Sequence, residues 1–232
     1  MVGLDLPPDG GGNRRTAHEY VRESLREGIM RGTLTAGTRL VQTTIATQLD
    51  VSTTPVREAL RDLATEGLIQ LNAHRGGVVV ELTYEDLLEI HELCKLVEPE
   101  AMRQVVEIAD DRLIEDARSL AELMRAEHDA VRWTDLNRRF HARLVDAVPS
   151  ERMRNMLRTL RGSAARYVAL AIRRRGQDQF EMANHQHSEI LEALIAKDAD
   201  RCAELTRTHV DLTLRAIDES RDRFAHGAGT GD

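Results

Sequence analysis

Apolar residues recur at helical spacing in two short segments near the start of the chain, and a few polar residues separate the segments. The repeating positions are Leu40, Ile45, Ala46 and Leu49 in the first segment and Val56, Ala59, Leu60 and Leu63 in the second. Val51 is expected to fill the corner between them. Ser52 and Thr54 are favourable N-cap residues, and Pro55 suits a first helical turn because it has no N–H to lose. Residues 40–69 therefore predict two helices joined by a tight turn and followed by a strand.

A hairpin is predicted after the second helix. Gly67 ends that helix, and the β-prone runs 68–71 and 78–80 flank the basic, glycine-bearing segment 72–77. Two helices and a two-stranded wing together make a winged helix-turn-helix. In this fold the second helix enters the major groove of DNA, and the wing contacts an adjacent groove or the backbone.

The predicted DNA-binding residues lie on the polar side of this unit. They are Thr43, Thr53, Thr54, Arg57, Arg61, Arg75 and Gly76. Short hydroxyls and the positive end of the helix dipole suit phosphate contacts, and the guanidinium of Arg57 or Arg61 can reach guanine O6 and N7. The alternative is that both arginines only solvate an exposed helix face and pair with Glu58 or Asp62. The adjoining turn and wing favour DNA contact.

From Thr83 onward the pattern indicates a series of amphipathic helices. The first begins at Thr83 and has Asp86 in its first turn. The further predicted helices cover residues 111–128, 134–148, 150–174, 178–196 and 199–223. Six helices with short connections predict an antiparallel bundle, so the fold class is mainly α, with a small β-hairpin wing in the first domain. The predicted divisions are a disordered tail at 1–13, the DNA-binding domain at 14–83, an all-helical effector-binding and dimerisation domain at 84–224, and a disordered tail at 225–232.

The distribution of charge reconciles DNA binding with a net charge of −7. Residues 14–83 contain nine Arg and eight acidic residues, a net of +1, whereas residues 84–232 contribute −6 and the first 13 residues −2. A weakly positive head predicts modest non-specific affinity and reliance on a homodimer for tight binding. No apolar run approaches membrane-spanning length, and the two cysteines, Cys94 and Cys202, agree with a cytoplasmic location.

Helical phase selects three of the nine histidines as inward-facing. His141, His187 and His209 each share a stripe with apolar residues on a different predicted helix, whereas His185 falls on the wet side. Converging neutral imidazoles need a group to accept their lone pairs, and a divalent cation does so. Asn137, one turn before His141, can add an amide oxygen. Asp135 is the second choice for that ligand.

Two sequence segments resemble a known family. The stretch 51–69, VSTTPVREALRDLATEGLI, preceded by GTLTAGTRL at 32–40, resembles the DNA-binding domain of GntR-family bacterial regulators, and the FadR-like branch fits best. Thr53 stands where the family usually has an arginine, which puts the family's typical operator sequence in doubt. Ala36-Gly37 replaces the usual Pro-Gly of the approach turn.

The second domain resembles the helical effector domain called FCD. The matching segments, in order, are LNRRFHARL, HQHSEILEAL and LTRTHVDL. The resemblance implies a metal held by Asn137, His141, His187 and His209, with zinc favoured over nickel or manganese. It also implies a small carboxylate effector, which an ion bound only by neutral ligands would attract. Cys94 replaces an arginine that usually anchors the effector. Arg166 and Tyr167 are the predicted substitutes, and the alternative is that Arg166 is a surface residue with its stem on the bundle.

Together these features predict a ligand-responsive transcriptional regulator, with a repressor favoured, that binds a palindromic operator as a homodimer. One alternative is the same dimer with a purely structural metal or a metal-free bundle. The other is a metal-dependent hydrolase, which is disfavoured because no acidic residue is expected on the inward stripes to act as a general base. No catalytic residue and no membrane partner are predicted.

Overall fold

A computed structural model describes residues 16–72, 76–81, 83–175 and 177–227, with side chains described except at 166, 170–175, 177–179 and 219–227. The chain divides into two compact units, Met1–Thr83 and Tyr84–Asp232. We call the first the head and the second the effector domain. The architecture is mainly α-helical with one small sheet, as the sequence predicts.

Three helices form the core of the head: α1 (Ala17–Arg31), α2 (Gln42–Gln48) and α3 (Thr53–Thr65). A capping box starts α1, in which Thr16 accepts a hydrogen bond from the Glu19 backbone N–H and Glu19 accepts one from that of Thr16. The buried apolar residues packed between the elements include Val21, Leu25, Leu34, Leu40, Ile45, Val56, Leu60 and Leu63. Arg26, 4% exposed, is held by ion pairs to Glu23 and Glu66 and so fixes α1 to the end of α3.

The turn between α2 and α3 has the predicted form. Asp50 adopts a left-handed φ of 52°, and the Val51 N–H donates to Ala46 O at 3.0 Å. The Val51 side chain packs against the head core. Ser52 occupies the N-cap position of α3, but its side chain makes no capping hydrogen bond. The first N–H groups of the helix are therefore not satisfied by its own cap.

The sheet has three antiparallel strands rather than the predicted two. They are β1 (Arg39–Leu40), β2 (Ile69–Asn72) and β3 (Gly76–Val79), in the order β1-β3-β2. The prediction that Leu40 belongs to the first helix is wrong, because Leu40 pairs with Gly77 in the sheet and α2 begins at Gln42.

Gly76 brings β3 close to β1. Its φ is +113°, and a Cβ atom there would lie 1.9 Å from the Leu40 carbonyl oxygen. Only glycine permits this approach. The wing tip, residues 73–75, lies outside the described residues.

In the effector domain the described residues form six helices, and their order matches the prediction. They are α4 (Tyr84–Ile108), α5 (Asp111–Ala126), α6 (Ala130–Asp146), α7 (Glu151–Arg175), α8 (Gln177–Ile195) and α9 (Ala199–Gly227). Helix α6 begins four residues earlier than predicted because Asp129 caps it, accepting hydrogen bonds from the N–H groups of Val131 and Arg132. Helix α9 continues to Gly227, into the segment predicted to be a disordered tail. None of the helices in the described part of the chain is both long and apolar enough to span a membrane.

Candidate metal centre and DNA interface

Three histidines from three different helices meet inside the effector domain. His141 lies on α6, His187 on α8 and His209 on α9, and one potential ligand atom from each lies within 4.8 Å of the others. The ring centroids are 5.0 Å apart for His141 and His187, 5.2 Å for His141 and His209, and 4.9 Å for His187 and His209. We call this group the histidine cluster.

The histidine cluster is buried and its polar atoms are poorly satisfied. His141, His187 and His209 are 6%, 0% and 4% exposed, as their helical phase predicts. Among the described residues, His141 Nε2 and both ring nitrogens of His187 have no hydrogen-bond partner, and neither has Oδ1 of the buried Asn137. Leaving such atoms unsatisfied in a core is costly. The donor set, imidazole nitrogen with an amide oxygen, fits a divalent metal ion.

Burial keeps the imidazoles neutral and their lone pairs available. Desolvation, reinforced by the positive charge of Arg161, lowers the pKa of His187 to about 3. Desolvation is also the largest cause that lowers the pKa values of His141 and His209 well below the usual 6.5, and Arg161 and the neighbouring histidines add to it. At neutral pH, protons therefore do not compete for the nitrogens of the histidine cluster.

Gln186 orients one of the three rings. His209 Nδ1 lies 2.7 Å from Gln186 Oε1, so the Nδ1–H donates to the amide oxygen and Nε2 is the nitrogen that carries the lone pair. Metal-binding histidines usually have such an outer partner, which fixes both the tautomer and the ring. Gln186 is not among the residues predicted from the sequence.

An aromatic wall stands behind His187. Phe140 lies 4.9 Å and Trp133 6.2 Å from the His187 ring, centroid to centroid, and Trp133 stacks on Phe180 at 5.2 Å. The Trp133 Nε1–H donates to Asn184 Oδ1 at 3.2 Å. Trp133 is the single tryptophan of the sequence, so its fluorescence reports on the surroundings of the histidine cluster.

A small cavity borders the histidine cluster. Its volume of about 20 Å³ is room for one or two water molecules. Most of its lining is apolar, and the polar side chains in it are those of Glu98, His141, Arg161 and Thr206. Glu98 is 3% exposed and forms an ion pair with Arg161. Beside it, burial and the Glu98 carboxylate raise the pKa of the Cys94 thiol, so this cysteine stays protonated.

Glu98 corrects one expectation. The sequence analysis predicts no acidic residue at the site, yet a buried carboxylate from α4 lines the cavity. The predicted absence of an acidic residue is therefore wrong, and it gives no ground for excluding a hydrolase. The Glu98 carboxylate forms an ion pair with the Arg161 guanidinium. Asp135, the second choice for the ligand position of Asn137, forms an ion pair with Arg138 at 2.6 Å and is partly exposed.

Arg161 is the cationic residue that the structure places beside the histidine cluster, and the sequence analysis missed it. Of the two predicted effector anchors, Tyr167 is buried but is not among the residues lining this cavity, and the side chain of Arg166 lies outside the described residues. A signal for Arg161 is present in the sequence. It lies four residues after Leu157 and four before Ala165, both of which are buried.

The head presents the predicted polar face on α2 and α3. Thr43, Thr53, Thr54, Arg57 and Arg61 are all exposed. Asp62, the alternative partner for these arginines, instead lies 2.8 Å from His18 and 3.6 Å from Arg22.

The structure gives Gly76 a different role from the predicted DNA contact. The residue is buried at the base of the wing, where its close packing on β1 explains the glycine, so it is not an exposed DNA contact. Arg75 lies outside the described residues.

Comparisons with known proteins agree with both halves of the chain. Residues 17–80 match the model for bacterial regulatory proteins of the gntR family, and residues 89–212 match the FCD domain. The HTH-type transcriptional regulator BphR of Paraburkholderia xenovorans (strain LB400), itself described as uncharacterized, is 30% identical over 92% of this chain and 90% of its own. The gluconate operon transcriptional repressor of Bacillus subtilis (strain 168) is 29% identical over 77% of this chain and 75% of its own.

A solved structure supports the fold independently. McbR/YncC of E. coli superposes with a TM-score of 0.73 over 89% of this chain and 99% of its own, at 21% sequence identity. The chain therefore belongs to the GntR family of bacterial transcriptional regulators, with a winged helix-turn-helix followed by an FCD domain of the FadR-like branch.

Proposed function

We propose that this regulator is a repressor that binds a palindromic operator as a homodimer and senses a small carboxylate at a metal ion in its effector domain. The observation that carries the proposal is the histidine cluster, which is buried, neutral and bordered by a cavity containing Arg161. Relatives named as repressors, such as the gluconate operon repressor, support the sign of regulation.

Asn137, His141, His187 and His209 are the proposed metal ligands. The unpartnered atoms of the first three are what a metal would satisfy, and Gln186 orients the fourth. All four ligands are neutral, so a divalent ion there keeps its +2 charge and attracts an anion. Zinc is favoured because it is common and suits imidazole ligands, and nickel or manganese are the alternatives that metal analysis would reveal.

Arg161 is proposed as the second anchor of the carboxylate. Its charge reaches all three rings of the histidine cluster, as its effect on their pKa values shows. Arginine also presents paired N–H groups that match a carboxylate. Arg161 takes the place of Arg166 and Tyr167 as the proposed anchor. An arginine elsewhere in the domain fits this chain because Cys94 stands where the family usually has an arginine.

The DNA face is proposed to be the N-terminal half of α3 with the exposed threonine of α2. Thr53 and Thr54 begin α3, whose N-cap side chain leaves the first N–H groups available to a phosphate. Arg57 and Arg61 lie one and two turns further along the exposed face, where a guanidinium reaches base edges. Arg75, at the wing tip, is proposed as a backbone contact.

Effector binding is proposed to change DNA affinity by shifting the population of the binding-competent dimer. The change can be only as large as the difference in effector affinity between the two states. Release from the operator is therefore expected for an effector that prefers the free protein. The protein is proposed to act in the cytoplasm, where its operator is.

The first experiment is elemental analysis of the purified chain and of His187→Leu, with His185→Leu as the matched control. His185 is on the same helix, but its side chain is 76% exposed. We expect one metal ion per chain in the wild type and the control and none in His187→Leu. The proposed sensor is refuted if the wild type contains no metal or if His187→Leu retains the metal.

A second measurement distinguishes a sensor from a structural metal. Thermal unfolding followed by Trp133 fluorescence is repeated with a panel of small carboxylates, and operator release is measured by fluorescence anisotropy on a duplex selected from random sequences. A sensor gives a carboxylate that both raises the melting temperature and releases the DNA. A structural metal gives neither effect.

A further inference from the structure

We infer that Glu98 makes the effector site selective for a small monocarboxylate that also carries a hydroxyl group, and that it excludes dicarboxylates. The inference rests on the proposed function. It assigns a specificity-determining role to a buried carboxylate that is not a proposed metal ligand and that has one oxygen beyond its ion pair with Arg161.

Glu98 has an acceptor to spare inside the cavity. The residue is 3% exposed, one of its oxygens meets the Arg161 guanidinium, and Oε1 has no hydrogen-bond partner among the described residues. The nearby Cys94 offers only a weak S–H donor. A buried, charged acceptor without a good donor is destabilising, so an occupant that supplies a donor gains affinity.

The neighbouring groups do not provide that donor. The Thr206 hydroxyl lines the same cavity but donates its hydrogen to Cys202 O at 2.8 Å. The rest of the lining, including Phe140, Leu144 and Ile190, is apolar. A ligand hydroxyl directed at Glu98 therefore meets an acceptor to which the described neighbours offer only the weak S–H donor of Cys94.

The charges in the cavity select against the other common substituents. Arg161, the proposed anchor of the first carboxylate, also pairs with Glu98, so the described lining offers no further cation for a second carboxylate, and such a group would lie against Glu98. An ammonium group would be repelled by the Arg161 guanidinium and by the divalent ion, which oppose its attraction to Glu98. A neutral donor, the hydroxyl, avoids both repulsions.

The volume limits the size of the acid. A cavity with room for one or two water molecules does not hold a whole acid, so most of the acid must occupy the metal's open positions, and the limited space favours acids of two carbons over longer ones. Glycolate carries a carboxylate and a hydroxyl on two carbons. Acetate lacks the hydroxyl, methoxyacetate replaces the donor by an ether, and oxalate has a second carboxylate.

The test is isothermal titration of the zinc-loaded full chain with these four acids, for the wild type, Glu98→Gln and the control Glu100→Gln. Glu100 is on the same helix, but its side chain is 54% exposed. In the wild type and the control, we expect glycolate to bind at least about tenfold more tightly than acetate or methoxyacetate. In Glu98→Gln, the glycolate preference shrinks and oxalate affinity rises by about tenfold, because Arg161 is released.

Each outcome has a distinct meaning. If the zinc-loaded wild type binds none of the acids, the proposed function fails. If it binds glycolate preferentially and Glu98→Gln keeps the same preference, the hydroxyl is bound by zinc alone and the role of Glu98 is refuted. If Glu98→Gln does not fold or does not retain zinc, the wild-type comparison of glycolate with methoxyacetate decides, and equal affinities refute the inference.

Discussion

Acid should destabilise the metal-free effector domain, because the histidines that face one another there cannot be protonated without leaving the core. The pKa of His187 falls from its usual 6.5 to about 3 in the folded protein. Between those two values the unfolded chain binds a proton that the folded chain does not. The free energy of unfolding therefore decreases as the pH falls below about 6.5, whereas above that pH His187 adds no pH dependence.

The magnitude follows from the size of the shift. A group with these two pKa values removes roughly 1.4 kcal/mol of stability per pH unit, or ~2 kcal/mol at about pH 5 relative to neutral pH. The pKa values of His141 and His209 shift in the same direction, so the total slope in the wild type is steeper. Domains are stable by only about 5–15 kcal/mol, so the loss is easily measured.

The assay is urea unfolding in a chelator, followed by Trp133 fluorescence at a series of pH values between 7.5 and 5. Trp133 is 1% exposed and lies in the effector domain, so the signal is specific to that unit. His187→Leu removes one titrating group and should reduce the slope by roughly 1.4 kcal/mol per pH unit. His185→Leu should leave it unchanged. Equal slopes for the wild type and His187→Leu would refute the assignment of His187 as a buried neutral imidazole.

Three further predictions concern other parts of the chain. Arg57→Ala should weaken operator binding by about 1–3 kcal/mol in fluorescence anisotropy, because it removes the proposed base-edge contact. Gln186→Leu should lower zinc affinity by about 10- to 100-fold in a chelator competition, because His209 loses the partner that fixes its tautomer. Gly76→Ala should destabilise the head by about 3 kcal/mol or more in urea unfolding followed by circular dichroism, and Gly37→Ala by about 1 kcal/mol.

Each of these has an outcome that contradicts it. Arg118→Ala removes an exposed charge from the effector domain. An equal loss of operator affinity in that variant would show that Arg57 contributes only through the net charge of the protein. Unchanged zinc affinity in Gln186→Leu would show that the His209 ring is fixed by packing alone. Both glycines have a positive φ, but a Cβ at Gly37 meets nothing within 4 Å. Equal losses for the two alanine variants would show that the contact with Leu40 is not what matters at Gly76.

Local periodicity was sufficient to predict every helix of the effector domain and the inward phase of the three histidines. Each stripe repeats over several turns, so the buried face of its helix can be assigned without knowing the partner helix. The helix ends were less predictable. Asp129 caps α6, which begins four residues before the predicted start, and a cap depends on one side chain rather than on a repeat.

Contacts between distant residues could not be predicted in this way. Leu40 is an apolar residue shortly before Ile45 and Leu49 and is predicted to lie in their helix, but the sheet partner that makes it a strand residue is Gly77, far along the chain. Glu98 and Arg161 are equally remote from each other, and nothing near either residue indicates the pair. The buried stripe of α7 indicates that Arg161 faces inward, but it does not show what the residue meets there.

The third strand of the head also bears on how the protein fits its operator. Strand β1 runs directly into α2 and is hydrogen-bonded to the wing, with Gly76 pressed against the Leu40 backbone. Helix α3 packs on the same core, so α3 and the base of the wing are held in a fixed relative position. On the proposed palindromic operator, a head built in this way is expected to engage one half-site as a rigid body, with little freedom to stretch or bend to suit a variant sequence. Tolerance for operators whose half-sites are differently spaced must then come from outside the head, and a one-base-pair insertion at the operator centre would measure how much of it exists.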